Sequence, residues 1–223
     1  TTRVSKEAAE KALYMMTECY GNPSSLHSKG FAAEKEMTAA RAIIAERLSA
    51  QPGDIYFTSG GTESDNIAIL GAAYAKKRAG NKIVTTAIEH PAVLNTMAQL
   101  EKEGFEVVYV QPEADGNIPK EKFDAAIDAK TILVSVMAVN NETGVLLPLK
   151  DIAGMIKRKK APALFHTDAV QGFCKIPLQP KKLGVDLISV SGHKVHAPKG
   201  VGALYVNCLL YTSDAADDSL RVD

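Results

Sequence analysis

Five polar clusters stand at the ends of apolar runs in this chain, and each holds residue types able to do chemistry. In order they are Ser59-Gly60-Gly61-Thr62, Glu89-His90, Asn140-Asn141-Glu142, Asp168-Ala169-Val170-Gln171 and Ser191-Gly192-His193-Lys194. The first reads as an apolar run, two glycines, a hydroxyl residue and then a helical pattern. Glycines there let backbone N–H groups approach an anion, and the helix aims its positive end at the same place. The cluster is neither a Walker motif nor G-x-G-x-x-G. Glu63 and Asp65, in the same first turn, would repel a phosphate unless they face away. Alone, this cluster is equally well an ordinary glycine turn capped by Thr62.

Lys194 follows the apolar run VDLISVSGH. Against apolar surroundings its ammonium form is disfavoured, and the neutral amine can attack a carbonyl to form a Schiff base. The plainer alternative is a solvated loop lysine. Asp168 ends ALFHTD, where a carboxylate can hold a protonated ring nitrogen or simply cap a turn. His90 precedes Pro91, so it can stack on a flat ring, move protons, or cap the helix that Pro91 opens. Asn141 and Gln171 can hydrogen-bond a ring oxygen or merely end their strands. His193 and His196 lie three apart, but no third ligand has usable spacing and Pro198 breaks helical geometry; no metal is expected. Taken jointly, the clusters supply an anion cradle, an aromatic contact, a carboxylate for a ring nitrogen and a covalent anchor. Pyridoxal 5′-phosphate is the cofactor with all of these needs.

The elements that must position these residues are legible too. Candidate strands are 55–58, 82–87, 105–111, 131–139, 163–167, 185–190 and 202–206, separated by helical patterns. Ala33, Met37, Ala40, Ile44 and Leu48 form one apolar stripe; Val93, Met97 and Leu100 form another. Ile67, Leu70 and Tyr74 are the expected buried side of the helix after Gly61, and Gly104 suits a helix end. Strand–helix alternation predicts an α/β fold with a mostly parallel sheet covered on both faces. Ligands of such sheets bind outside the carboxyl ends of the strands, where the clusters lie. Only eleven residues separate Val190 from Gly202, too few for a helical crossover, so 202–206 is expected to return antiparallel.

The composition excludes several classes. Lys plus Arg and Asp plus Glu both total 26 among 223 residues, a balance that disfavours a nucleic-acid binder. Apolar residues make up 46% and charged residues 23%, which is globular composition, and no apolar run approaches a membrane span or signal segment. Cys19, Cys174 and Cys208 are scattered with no C-x-x-C pair, which favours a reducing, cytoplasmic compartment over a disulfide framework.

The sequence resembles the pyridoxal-phosphate cysteine desulfurases of the class-V aminotransferase group. The resemblance rests on TT at the start, YGNPSSLH (20–27), FTSGGTESDN (57–66), EHPAVL (89–94), VNNETG (139–144), HTDAVQ (166–171) and SGHKVHAPKGVGALYV (191–206). YGNPSSLH resembles the branch that serves iron–sulfur clusters. The resemblance implies Lys194 as the covalent anchor and His90 as ring-stacking proton carrier. Asp168 would face the pyridine nitrogen, Gln171 and Asn141 the ring hydroxyl, and Gly61, Thr62, Ser191 and His193 the phosphate. It implies sulfur removal from L-cysteine to give L-alanine and an enzyme persulfide, a protein that accepts the sulfur, and a homodimer. It also implies an α-β-α large domain over 1–206, with the small C-terminal domain and the persulfide cysteine missing. Residues 207–223 are expected to be a non-matching, disordered tail, and the chain alone is expected to be inactive. Another class-V enzyme (a selenocysteine lyase or aminotransferase) and a non-catalytic scaffold keeping the fold remain alternatives.

Overall fold

The computed structural model describes residues 1–207. The chain runs α1 (Lys6–Thr17), α2 (Ser28–Leu48), β1 (Ile55–Thr58), α3 (Gly61–Lys76), β2 (Lys82–Thr86), α4 (Pro91–Lys102), β3 (Glu106–Val110) and α5 (Lys120–Ala126). It continues through β4 (Thr131–Ser135), α6 (Leu149–Arg158), β5 (Leu164–Asp168), α7 (Pro180–Leu183), β6 (Leu187–Ser191) and β7 (Gly202–Val206). The strands form one seven-stranded sheet in the order β1-β7-β6-β5-β4-β2-β3. β3, β2, β4, β5 and β6 are parallel. β7 runs antiparallel between β6 and β1, as the short connection requires.

Period-two alternation sorts side chains between the two faces. Ile83, Leu187 and Leu204 join the core under α3 and α4, while their neighbours Val84, Ile188 and Tyr205 join the opposite core with Phe123 and Ile152. The stripe Val93, Met97 and Leu100 is wholly buried, and Gly104 ends that helix region with a left-handed φ of 92°.

Two helix faces differ from expectation. α3 turns Ser64, Asp65, Ala68, Ile69, Ala72 and Ala73 to the interior, whereas Ile67 is 51% and Tyr74 48% exposed. Small residues let the helix lie close to the sheet, so closeness of approach outweighed side-chain size. In α2 only Ala33, Ala45 and Leu48 of the apolar positions are buried; Met37 and Ala40 are exposed. That helix meets the sheet beside β1, where Arg41 donates to the Ile55 carbonyl and lies over the Phe57 ring. The expected strand 131–139 is regular only to Ser135; beyond it Val136 and Ala138 still donate to the carbonyls of His166 and Asp168 (3.1 and 2.9 Å). Of the expected tail 207–223, residues from 208 onward lie outside the described residues.

Candidate active site

The carboxyl ends of β2, β4, β5 and β6 open on one cleft, with about 630 Å³ not filled by protein atoms and part of it open to solvent. Every residue expected at the site lines it: Gly61, Thr62, His90, Asn141, Asp168, Gln171, Ser191, His193 and Lys194. Asp168 closes β5 and Lys194 sits on the single 3₁₀ turn after β6, so neighbouring parallel strands deliver the two.

Each side chain has a local reason for its place. Gly60 starts α3 with no side-chain cap and a φ of 154°, leaving the first-turn N–H groups of Gly61 and Thr62 toward the cleft. Gly202, at the start of β7, lets that turn approach: a Cβ there would lie 2.6 Å from the Cα of Gly60. His90 does cap its helix, Nδ1 accepting the Ala92 N–H at 3.1 Å. The neutral ring therefore carries its proton on Nε2. Asp168 also serves its turn, accepting the Val170 N–H at 2.9 Å. The local and the chemical readings of these two residues thus coexist.

The turn carrying Lys194 is clamped by the first residues of the chain. Thr2 N–H donates to the His193 carbonyl (2.7 Å), His196 N–H to the Thr2 hydroxyl (2.8 Å), and Ser5 N–H to the His196 carbonyl (2.9 Å). Lys194 itself is half-buried among polar neighbours, not the apolar ones expected. The strand before it is apolar, but its carboxyl end opens into the polar cleft.

Asp65 and Asp168 line the cleft together with His90, His193 and Lys194. Burial pushes Asp168 upward, opposed by the Val170 N–H and by the charges of His90 and Lys194. Burial pulls the His193 ring below its ordinary value, and the Lys194 charge pulls it further. Glu63 does turn away, its exposed carboxylate accepting the Ser59 N–H. Asp65 does not. It is 1% exposed, lines the cleft, and is pushed up to about 9 by burial and by the charge of Asp168.

The sequence profile of the aminotransferase class-V family matches residues 1–212. The chain belongs to that family. Among its relatives, a protein named cysteine desulfurase IscS from Clostridium botulinum is 47% identical over 206 residues, covering 92% of this chain and 51% of the relative. One of the same name from Shewanella loihica is 48% identical over 209 residues, covering 92% and 51%. Among solved structures, a NifS-like protein superposes with a TM-score of 0.90 at 42% identity, covering 93% of this chain and 57% of that one. A structure titled SspA in complex with cysteine gives 0.88 at 39% identity, covering 93% and 59%. The chain thus spans about half the length of the curated relatives it matches. Aminotransferase class-V enzymes use pyridoxal phosphate.

The class-V site of this chain also contains residues that sequence reasoning missed. Asn140 donates to the Ile88 carbonyl (2.8 Å), while its Oδ1 accepts the N–H groups of Glu142 and Thr143 (3.0 and 2.8 Å). It ties the loop of Asn141 to the loop of His90. Glu89 accepts the Thr86 hydroxyl (2.7 Å) and the Met137 N–H (3.0 Å), joining the ends of β2 and β4. Both stand in the polar clusters, but a local reading gives no sign of which partner a buried amide or carboxyl will find. Gly202 announced itself only as a glycine opening a strand.

Proposed function

We propose that the cleft holds pyridoxal 5′-phosphate and that the protein acts as a cysteine desulfurase, taking sulfur from L-cysteine and leaving L-alanine. The observation that carries this reading is the convergence of Asp168 and Lys194, a buried carboxylate and an amine, on one cleft. The donor set fits the cofactor. The uncapped start of α3, Thr62, Ser191 and His193 gather donors suited to a phosphate. A buried carboxylate with few other partners suits a protonated ring nitrogen.

In this reading Lys194 would hold the cofactor covalently through its amine. When bound, the cofactor supplies an electron sink next to the substrate α-carbon. Asp168 keeps the ring nitrogen protonated, and Gln171 and Asn141 face the ring hydroxyl oxygen. His90 would move protons at Nε2, since Nδ1 is engaged with Ala92. Neutral His193 can donate to the phosphate without adding charge. The names of the IscS relatives and the cysteine complex of SspA support L-cysteine as substrate.

Neither Cys19 nor Cys174 lines the cleft; Cys19 is buried, and burial raises the Cys174 thiol. The thiol that takes the sulfur therefore lies outside the described residues. A sulfur-accepting protein, a homodimer and a cytoplasmic setting belong to the same proposal. No described helix is long and apolar enough to cross a membrane.

Borohydride reduction of the chain mixed with pyridoxal phosphate, followed by peptide mapping, tests the reading. The label is expected on Lys194 and is expected to vanish in Lys194→Ala. Label on another lysine, or none, overturns it. The chain alone is expected to release no sulfide from L-cysteine; Lys194-dependent release that persists in Cys208→Ala would overturn the exclusion of Cys19 and Cys174 as the acceptor thiol.

A further inference from the structure

Beneath the cleft lie three carboxyls and a histidine that the reaction above does not fully use. Asp65 is 1% exposed, Glu89 4%, Asp168 6% and His166 0%. His166 joins the hydroxyls of Ser135 (Nδ1, 2.8 Å) and Ser189 (Nε2, 2.9 Å). Asp65 Oδ1 stands 3.5 Å from His166 Nε2 and has no hydrogen-bond partner. A buried anion with an oxygen that makes no hydrogen bond is costly, and like charges in one enclosed site cannot all persist. Asp168 differs from Asp65 in both respects. It accepts the Val170 N–H and feels the charge of Lys194.

We propose that Asp65 is a positioning residue of the ring site: it is a neutral carboxylic acid and leaves Asp168 the ionised carboxylate that faces the cleft. This rests on the reading that the cleft binds pyridoxal phosphate. The groups facing Asp65 agree with a single net negative charge. His166 from β5 is held neutral by burial, at about 3, and buried Glu89 from the segment before α4 is pushed up to about 8. His90 from that segment and Lys194 and His193 from the turn after β6 stand on the cleft side. The proton on Asp65 also answers the repulsion expected between this residue and a phosphate at the start of α3. A first-turn aspartate is compatible with the anion because it carries no charge.

Two measurements separate this proposal from the reading beneath it. In the cofactor-free chain, unfolding should release the Asp65 proton, because an unfolded aspartate ionises near its ordinary value. Asp65→Asn should therefore release about one proton fewer between roughly pH 5 and 8, read by calorimetry in buffers of different ionisation enthalpy. Unchanged release means that Asp65 is already ionised and overturns the proposal, whether or not cofactor binds. In the cofactor-loaded protein, Asp65→Leu should weaken pyridoxal-phosphate binding about tenfold, the loss of one buried polar contact. Asp65→Asn should recover most of that loss, since amide and neutral acid are close in shape and both uncharged. Equal loss in both variants, or none in Asp65→Leu, overturns the positioning role. Absence of binding by the wild-type chain fails the cofactor reading instead and leaves the proton count to judge Asp65.

Discussion

The middles and the carboxyl ends of β4, β5 and β6 are a few residues apart and differ in kind. In the middles sit Leu133, Phe165 and Ile188, at most 1% exposed and packed between helices. At the ends sit Ser135, Asp168 and Ser191, at most 6% exposed but polar. Buried oxygens without hydrogen-bond partners lie nearby on Asp65 of α3, Thr85 of β2, Glu89 after β2 and Thr167 of β5. Burying a large apolar side chain stabilises by about 1.5–3 kcal/mol, and an unsatisfied buried polar group costs about 1–3 kcal/mol. The two effects are of one size. The strand middles therefore hold in place ends that would not be adopted for stability alone.

That contrast can be broken by substitution. Phe165→Ala should cost about 3–5 kcal/mol in urea unfolding. Asp168→Asn should cost less than about 1 kcal/mol in the cofactor-free protein while sharply weakening cofactor binding. A comparable loss of stability from both would erase the distinction. Next, Gly202→Ala places a methyl 2.6 Å from backbone that cannot swing away, and should cost about 1–3 kcal/mol while loosening the anion cradle. Thermal unfolding and phosphate affinity should fall together; an unaffected affinity would mean that the cradle does not depend on this approach.

The pH dependence sharpens the same point. Folded Glu89 keeps its proton to about 8, whereas unfolded it titrates near 4.5. Its contribution to stability is full below about pH 4.5 and is lost as pH rises through about 8. Glu89→Gln should flatten the decline of stability over that window, and an unaltered slope would assign the decline to other groups. The smallest effect is expected at Ser64, whose hydroxyl reaches the Ala203 carbonyl at 3.2 Å. Ser64→Ala should cost about 1 kcal/mol by chemical denaturation, with the cleft unchanged. A larger loss would place this bond among the supports of the site.

The legible part of the site was what strand order and residue chemistry determine locally. Lys194, Asp168 and His90 follow or precede recognisable elements, and the rule for parallel sheets brings their ends together. What stayed hidden depended on distance between elements. Ala68 and Ala72 meet the sheet in preference to Ile67 because of how near α3 lies, which no periodicity encodes. Asp65 read as an obstacle to an anion, since a carboxyl on an outward helix turn is charged; only its burial beside Asp168 reverses that. The polar setting of Lys194 was hidden for the same reason, its neighbours coming from α3, the loop after β4 and the chain's first residues.

The clamp on the Lys194 turn has a consequence for how the protein comes into being. Thr2 and His196 are 194 positions apart, so one partner leaves the ribosome long before the other. Contacts of such span close late. The reactive amine is thus locked into place only after the sheet around it exists, and a nascent chain offers no finished coenzyme pocket until then.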